Sequence, residues 1–352
     1  MSVNLSYAQT INGGVDTLEK DVKSAIDFYR SYIQAMRHKD SIDYSKYWSA
    51  DDCKKYKLPD QIYHIITSDG SSYIMGKPTI IYIKPSKDYI HIKTLFADAD
   101  SLGNSTVYLI TNHYIKFDKN NKPFFGSSLD INGANWASKT VRNVTFHFPK
   151  IHEFNPKKAD SLLTKIEKLE KDWGLIPINI QYYFADTKEE IDALRGCDYD
   201  IGLGNRDKPS GMSDDLDNMV FCAGWGENFF HEIVHLYLNH LYPKSPLKEG
   251  IAVYYGGSLG HELSWHIPRL NKYLNDHKEI DLSKDDFWYM DNYTNPWSTI
   301  KGMLCLMVYK KDGINGLKRI MTYKSLDEIL DKEFLVKSND MNAFLRKAIA
   351  EE

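Results

Sequence analysis

The sequence predicts an α+β fold in two parts: an N-terminal helix with a curved antiparallel sheet, then a mostly helical half with a small sheet. Three observations carry this expectation. An amphipathic helical pattern opens the chain, short apolar runs broken by turn signals follow it, and beyond residue 150 the periodicity becomes largely helical. At 352 residues the chain also exceeds the usual size of one compact domain, so a division into 1–150 and 151–352 is expected.

The opening helix is read from Val15, Leu18, Val22, Ala25, Ile26, Tyr29, Tyr32, Ile33 and Met36. They recur at three- and four-residue spacing, which places them on one helical face. A tyrosine-rich connection leads to the runs PTIIYIKP, YIHIKTLFAD, STVYLITNHYIKF and TVRNVTFHFP. Between them stand Pro85-Ser86-Lys87-Asp88, Gly103-Asn104 and Lys119-Asn120-Asn121-Lys122. Apolar β-branched and aromatic runs between such turn formers are strand signals. One helix followed by a meander of strands resembles the cone-shaped fold of nuclear-transport-factor-like domains.

The second half starts with FNPKKADSLLTKIEKLEKDWG (154–174), a helix with Asn155-Pro156 at its start and Gly174 past its end. INIQYYFA (178–185) reads as a strand, 202–218 as a polar loop and MVFC (219–222) as a short strand. A helix is expected over 228–241 and a second from about Leu247, separated by Tyr242-Pro243-Lys244-Ser245-Pro246. WSTIKGMLCLMVYKKDG, SLDEILDKEF and MNAFLRKAIAEE supply the remaining helices.

Composition excludes some functions. A net charge of −4 offers no phosphate-binding surface, so no nucleic-acid partner is expected. No apolar run reaches the roughly 18 residues of a membrane span. The four cysteines, Cys53, Cys197, Cys222 and Cys305, form no C-x-x-C pair; three disulfide pairings are open to them in an exported protein, and buried free thiols are the favoured reading. In MSVNLSYAQT, Ser6 and Ala8 stand at the −3 and −1 positions of an A-x-A-like cleavage site before Gln9. This reads as the tail of a signal peptide and hence a secreted or periplasmic protein. Because the charged and apolar regions of a signal peptide are missing, a plain N-terminus on a cytoplasmic protein is the alternative.

The chemistry is concentrated in HEIVHLYLNHLYPKSPLKEG (231–250). On a helix, His231 and His235 lie one turn apart on the same face, so both imidazoles reach one point in space. Glu232 stands one step round, near that point without occupying it. In this H-E-x-x-H arrangement the histidines hold Zn2+ at about 2.0–2.1 Å and the glutamate takes a proton from a zinc-bound water. A catalytic zinc needs a third protein ligand, and Glu249 in the first turn of the second helix supplies it. With 12 histidines, a chance H-E-x-x-H arises in only about two chains per hundred of this composition. The competing zinc pattern with Gly three and His six residues after the second ligand is absent, since Leu238 and Leu241 stand there. His240 falls on the far side of the helix.

FFHEIVHLYLNHLYPKSPLKEGIAVYYGG resembles the active-site core of the gluzincin metallopeptidases, in which H-E-x-x-H on one helix precedes E-G-x-A on the next. The resemblance implies a zincin-type domain with His231, His235 and Glu249 as ligands and Glu232 as general base. It implies a peptide or protein substrate paired along an edge strand, a place that MVFC occupies here. It also implies an oxyanion-stabilising Tyr or His after the third ligand, chosen from Tyr254, Tyr255, His261, His266, Tyr289 and Tyr293. The outline DNYTNPWSTIKGMLCLMVYKKDG favours Tyr293. The thirteen residues between His235 and Glu249 make a shorter span than in thermolysin or the large aminopeptidases. The alternative to a zinc metallopeptidase is a catalytically inactive peptidase scaffold acting as a ligand- or partner-binding module.

Overall fold

The computed structural model describes residues 10–15, 17–38, 42–65, 71–202, 209–284 and 286–352. The signal-peptide-like residues Ser6 and Ala8 lie outside them. In chain order the first elements are β1 (Thr10–Ile11), α1 (Lys20–His38), α2 (Ala50–Lys55), β2 (Lys77–Pro85), β3 (Ile90–Ala99) and β4 (Ser105–Phe117). β5 (Pro123–Gly126), α3 (Ser128–Asn132), β6 (Trp136–Val141), β7 (Val144–Pro149), α4 (Pro156–Trp173) and β8 (Ile180–Ala185) follow. Next come α5 (Lys188–Arg195), β9 (Cys197–Asp200), β10 (Ser210–Asp214) and β11 (Met219–Ala223). The rest is helical: α6 (Phe230–Leu238), α7 (Lys248–Gly256), α8 (Leu263–Asp276), α9 (Pro296–Ile320), α10 (Leu326–Phe334) and α11 (Met341–Glu351). The class is α+β, with two mixed sheets.

Two compact units divide the chain, but not at one point near 150. One comprises the chain to Ala137 together with a return segment that starts at Thr187. The other comprises Ser138–Asp186 and Pro209–Glu352. Long-range strand pairing sets this division. The run TVRNVTFHFP is two strands, broken where Arg142 takes a φ of 54°, and its second strand, β7, pairs in parallel with β8 of the second sheet. Conversely, β9 pairs antiparallel with β4 of the first sheet. Neither pairing leaves a local signal.

In the first unit the sheet order is β1-β2-β3-β4-β5, with β9 also on β4. It is mixed rather than purely antiparallel, because β1 joins β2 in parallel. Register shifts at Ile80/Tyr82 and Phe96/Ala97 bend its long strands, as bulges do. Val22, Ala25, Ile26, Tyr29, Tyr32, Ile33 and Met36 of α1 are buried as the periodicity predicts, whereas Val15 and Leu18 precede the helix.

The same core holds a polar chain. The buried Asp60 carboxylate accepts hydrogen bonds from the Tyr32 and Tyr73 hydroxyls and from the Ile62 N–H, while Tyr73 Oη lies 3.0 Å from His113 Nε2. Burial pushes the His113 pKa from 6.5 down to about 3. Between those values the unfolded chain binds a proton that the folded one does not, so stability is full above pH 6.5 and falls as the solution is acidified. Each pH unit in that window removes about 1.4 kcal/mol. Asp60, raised by its burial, acts with the opposite sign in wild type and variant alike. Denaturant titrations at pH 7 and 5 should therefore show a smaller acid-induced loss in His113→Gln than in wild type; equal losses would contradict this assignment.

In the second unit the sheet order is β10-β11-β8-β7-β6. β7, β8 and β11 run parallel and β10 runs antiparallel to β11. This sheet is larger than the sequence suggests, because β10 and the β6–β7 pair belong to it. A second apolar cluster, including Val253, Leu270, Met303, Leu304 and Leu345, joins α7, α8, α9 and α11. No helix among the described residues is long and apolar enough to cross a membrane.

Candidate metal centre

The helix bearing the motif is a core helix. Every residue of α6 from Phe230 to Leu238 is buried, and Ile233, Val234 and Leu238 are fully so. His231, Glu232 and His235 are themselves buried, which rules out a solvated histidine pair on a surface helix. Its N-terminus lacks a side-chain cap from Phe229. Instead the Tyr182 hydroxyl of β8 accepts the Phe229 N–H at 3.0 Å and donates to the Gly226 carbonyl at 2.8 Å. Just ahead, buried Glu227 accepts the Asn155 N–H at 2.6 Å and lies 3.0 Å from His152 Nε2. Both contacts hold the entry to α6 before the first histidine is reached.

Three donor atoms converge. His231 Nε2 and His235 Nε2 are 3.2 Å apart, and Glu249 places Oε2 3.5 Å from the first and Oε1 3.4 Å from the second. A tetrahedral ion with ligand bonds of about 2.0–2.1 Å sets its donors about 3.3 Å apart, so this triangle fits one. The imidazoles are nearly covered (side chains 10% and 7% exposed) while the Glu249 side chain is 57% exposed, which leaves the group open to solvent on one side. Outer partners set the ring orientation. A carbonyl can only accept, so the Gly257 carbonyl at 2.7 Å requires hydrogen on His231 Nδ1 and leaves its lone pair on Nε2.

The charges match a cation site. Burial opposes the Glu249 charge, but the hydrogen bond to His231 and the charges of His235, His231 and Lys301 hold its pKa down to about 2. For His231, burial favours the neutral ring, yet the Glu249 hydrogen bond and the Glu232 and Glu249 charges outweigh it and raise the pKa. Metal-free, the triangle thus favours a proton where a metal's positive charge would sit.

Glu232 stands apart from the triangle. Burial raises its pKa, with His231 and His235 pulling the other way. It faces β10: Ser213 hydrogen-bonds it, and a Cβ on Gly211 would lie 2.9 Å from its Cγ and 2.1 Å from Phe229 Cε1. Only glycine allows the strand so close. This corrects the expected edge strand. MVFC lies within β11, between β10 and β8, and the outer strand is β10, SGMSD, inside the stretch read as polar loop. Serine, glycine and aspartate are poor strand formers, so no alternation marked it.

A second glycine sets the helix spacing. A Cβ on Gly256 at the end of α7 would meet His231 N at 2.6 Å and Cα at 2.7 Å. That backbone contact fixes α7 against α6, and Glu249 rides on α7.

The other predicted residues are placed as follows. Tyr255 Oη accepts from Trp173 Nε1 at 2.9 Å, and Tyr254 packs on Tyr255 and Tyr309. His266 is buried between the Ser258 carbonyl and Thr294, and His261 stacks on Trp265. Tyr289 donates to Asn292. Tyr293 is 57% exposed, its ring centroid 5.9 Å from Arg269 Cζ, and these contacts do not join it to the triangle. His240 is exposed, as expected, but it lies in the turn after α6, which ends at Leu238 rather than at 241. All four cysteines are free, three of them buried. Gly211, Ser213, Asn239, Asp215 and Gly257 were not legible as site residues; the Asp215–Asn218 turn before MVFC was the one available sign of a hairpin.

Comparison with protein families and with curated proteins finds no match for this chain.

Proposed function

We propose that this chain is a zinc-dependent metallopeptidase of the gluzincin kind, with the second unit as its zincin-type domain. The observation that carries the reading is the donor triangle of His231, His235 and Glu249 with buried Glu232 beside it under an outer strand. The two imidazoles and the Glu249 carboxylate would hold the ion. When bound, zinc supplies Lewis acidity that polarises a carbonyl and makes water a stronger acid. Glu232 accepts a proton from the attacking water and passes it to the departing amine; its raised pKa suits both halves of that task. β10, the outermost strand of this sheet among the described residues, would offer backbone donors and acceptors to an extended peptide, which would add as a further strand within reach of Glu232. Tyr293 is the proposed oxyanion donor. The first unit, an amphipathic helix over a bulged sheet, is read as an accessory domain of the cone-shaped kind.

Metal analysis and a peptide-pool cleavage assay test this. About one zinc per chain is expected, with cleavage stopped by a chelator and restored by Zn2+. Tyr293→Phe should lower kcat with zinc content unchanged. Zinc binding without cleavage of any peptide pool would favour the inactive binding module instead.

A further inference from the structure

We infer that Asp215 is a positioning residue that fixes the ring tautomer of His235, and so the direction in which that imidazole presents its lone pair; the inference rests on the metal-site reading above. The contacts form one chain. Asn239 Nδ2 donates to Asp215 Oδ2 at 2.9 Å, and Asn239 Oδ1 lies 3.3 Å from His235 Nδ1. His235 Nε2 is the donor atom in the triangle.

Each link follows from the charge at one end. A carboxylate can only accept, so the amide turns its NH2 to Asp215 and its oxygen to His235. That oxygen can only accept in turn, so His235 carries hydrogen on Nδ1 and keeps Nε2 bare. Without the charge at residue 215, the Asn239 amide is free to turn over and present its NH2 to Nδ1. The ring then takes the other tautomer, with an N–H aimed at the other two donors. His231 needs no such relay, because its Nδ1 faces a backbone carbonyl whose polarity cannot invert.

A second feature points the same way. Asp215 Oδ1 is shielded from solvent and has no hydrogen-bond partner among the described residues. A buried carboxylate oxygen of that kind is costly unless positive charge lies nearby. A cation held by the triangle would supply positive charge on that side, shared with Glu232. Asp215 also sits on the turn between β10 and β11, so the hairpin that supplies the outer strand also carries the residue that orients a ligand.

The test uses the full chain with 15N-labelled histidine, metal-free, together with zinc titration against a competing chelator. Wild type should show His235 with hydrogen on Nδ1. Asp215→Asn should populate the Nε2–H form and weaken zinc binding by about 10–100-fold; Asn239→Ala should weaken it similarly. An Nε2–H ring in wild type would overturn the inference whether or not a variant folds. So would an Asp215→Asn protein with the wild-type tautomer and zinc affinity. A wild type that shows the Nδ1–H ring but takes up no zinc would refute the metal-site reading while leaving the tautomer lock standing.

Discussion

Replacing Glu232 by Gln is expected to lower kcat by about 10²–10⁴ while zinc remains bound, because proton transfer is lost and no ligand is touched. The triangle consists of His231, His235 and Glu249 and does not use Glu232. Glutamine preserves the volume and can still pair with Ser213, but its amide cannot accept a proton at neutral pH. Nor should the fold suffer. Burial already disfavours the Glu232 charge, so a neutral side chain removes a desolvation cost, and the metal-free Tm should stay or rise. Kinetics on a cleaved peptide, zinc analysis and thermal unfolding measured together decide the matter. Turnover that survives in Glu232→Gln would remove this residue from the mechanism.

The second large effect belongs to Glu249→Ala, and its signature is the reverse. One of three donors disappears, so zinc affinity should drop by more than the about 10–100-fold that loss of an outer partner costs. Activity should fall with it. Because zinc binds the folded chain, saturation at about 100 times Kd stabilises wild type by about 2.7 kcal/mol. For a unit of this size that corresponds to a rise in Tm of about 5–11 °C, and the rise should vanish in Glu249→Ala at the same zinc concentration. An undiminished zinc-dependent rise in Tm would show that the ion is held elsewhere. In the metal-free protein Glu249 pairs with both imidazoles and its pKa is held down. The variant should therefore also lose some metal-free stability at neutral pH, moderated by the 57% exposure of the side chain. The zinc-dependent rise is read against each protein's own metal-free Tm.

Side by side, these variants separate proton transfer from metal holding. Adjacent residues on α6 carry the two roles, Glu232 facing β10 and His231 facing Gly257. Helical geometry alone accounts for that split, since neighbours on a helix point about 100° apart.

Much of the site could be read directly from the chain. His231 and His235 are one turn apart wherever that stretch is helical, and the apolar residues around them, Phe230, Ile233, Val234, Tyr237 and Leu238, recur at helical spacing. The α1 face from Val22 to Met36 was legible for the same reason, as was the helix from Pro156 to Trp173 with Asn155 and Gly174 at its ends. These features depend on residues within a few positions of each other, and such contacts follow from backbone geometry.

What the tertiary structure decided depends on residues far apart in the chain. Glu249 meets the histidines because Gly256 lets α7 lie against the backbone of His231. SGMSD becomes the outer strand because β11 offers it a partner, despite poor intrinsic strand propensity. TVRNVTFHFP is drawn to the second sheet by β8, and the return segment to the first by β4. Asp215 reaches His235 only through Asn239. Local periodicity encodes which face of an element is apolar, but not which distant element will cover it; that choice is made by the packing of the whole chain.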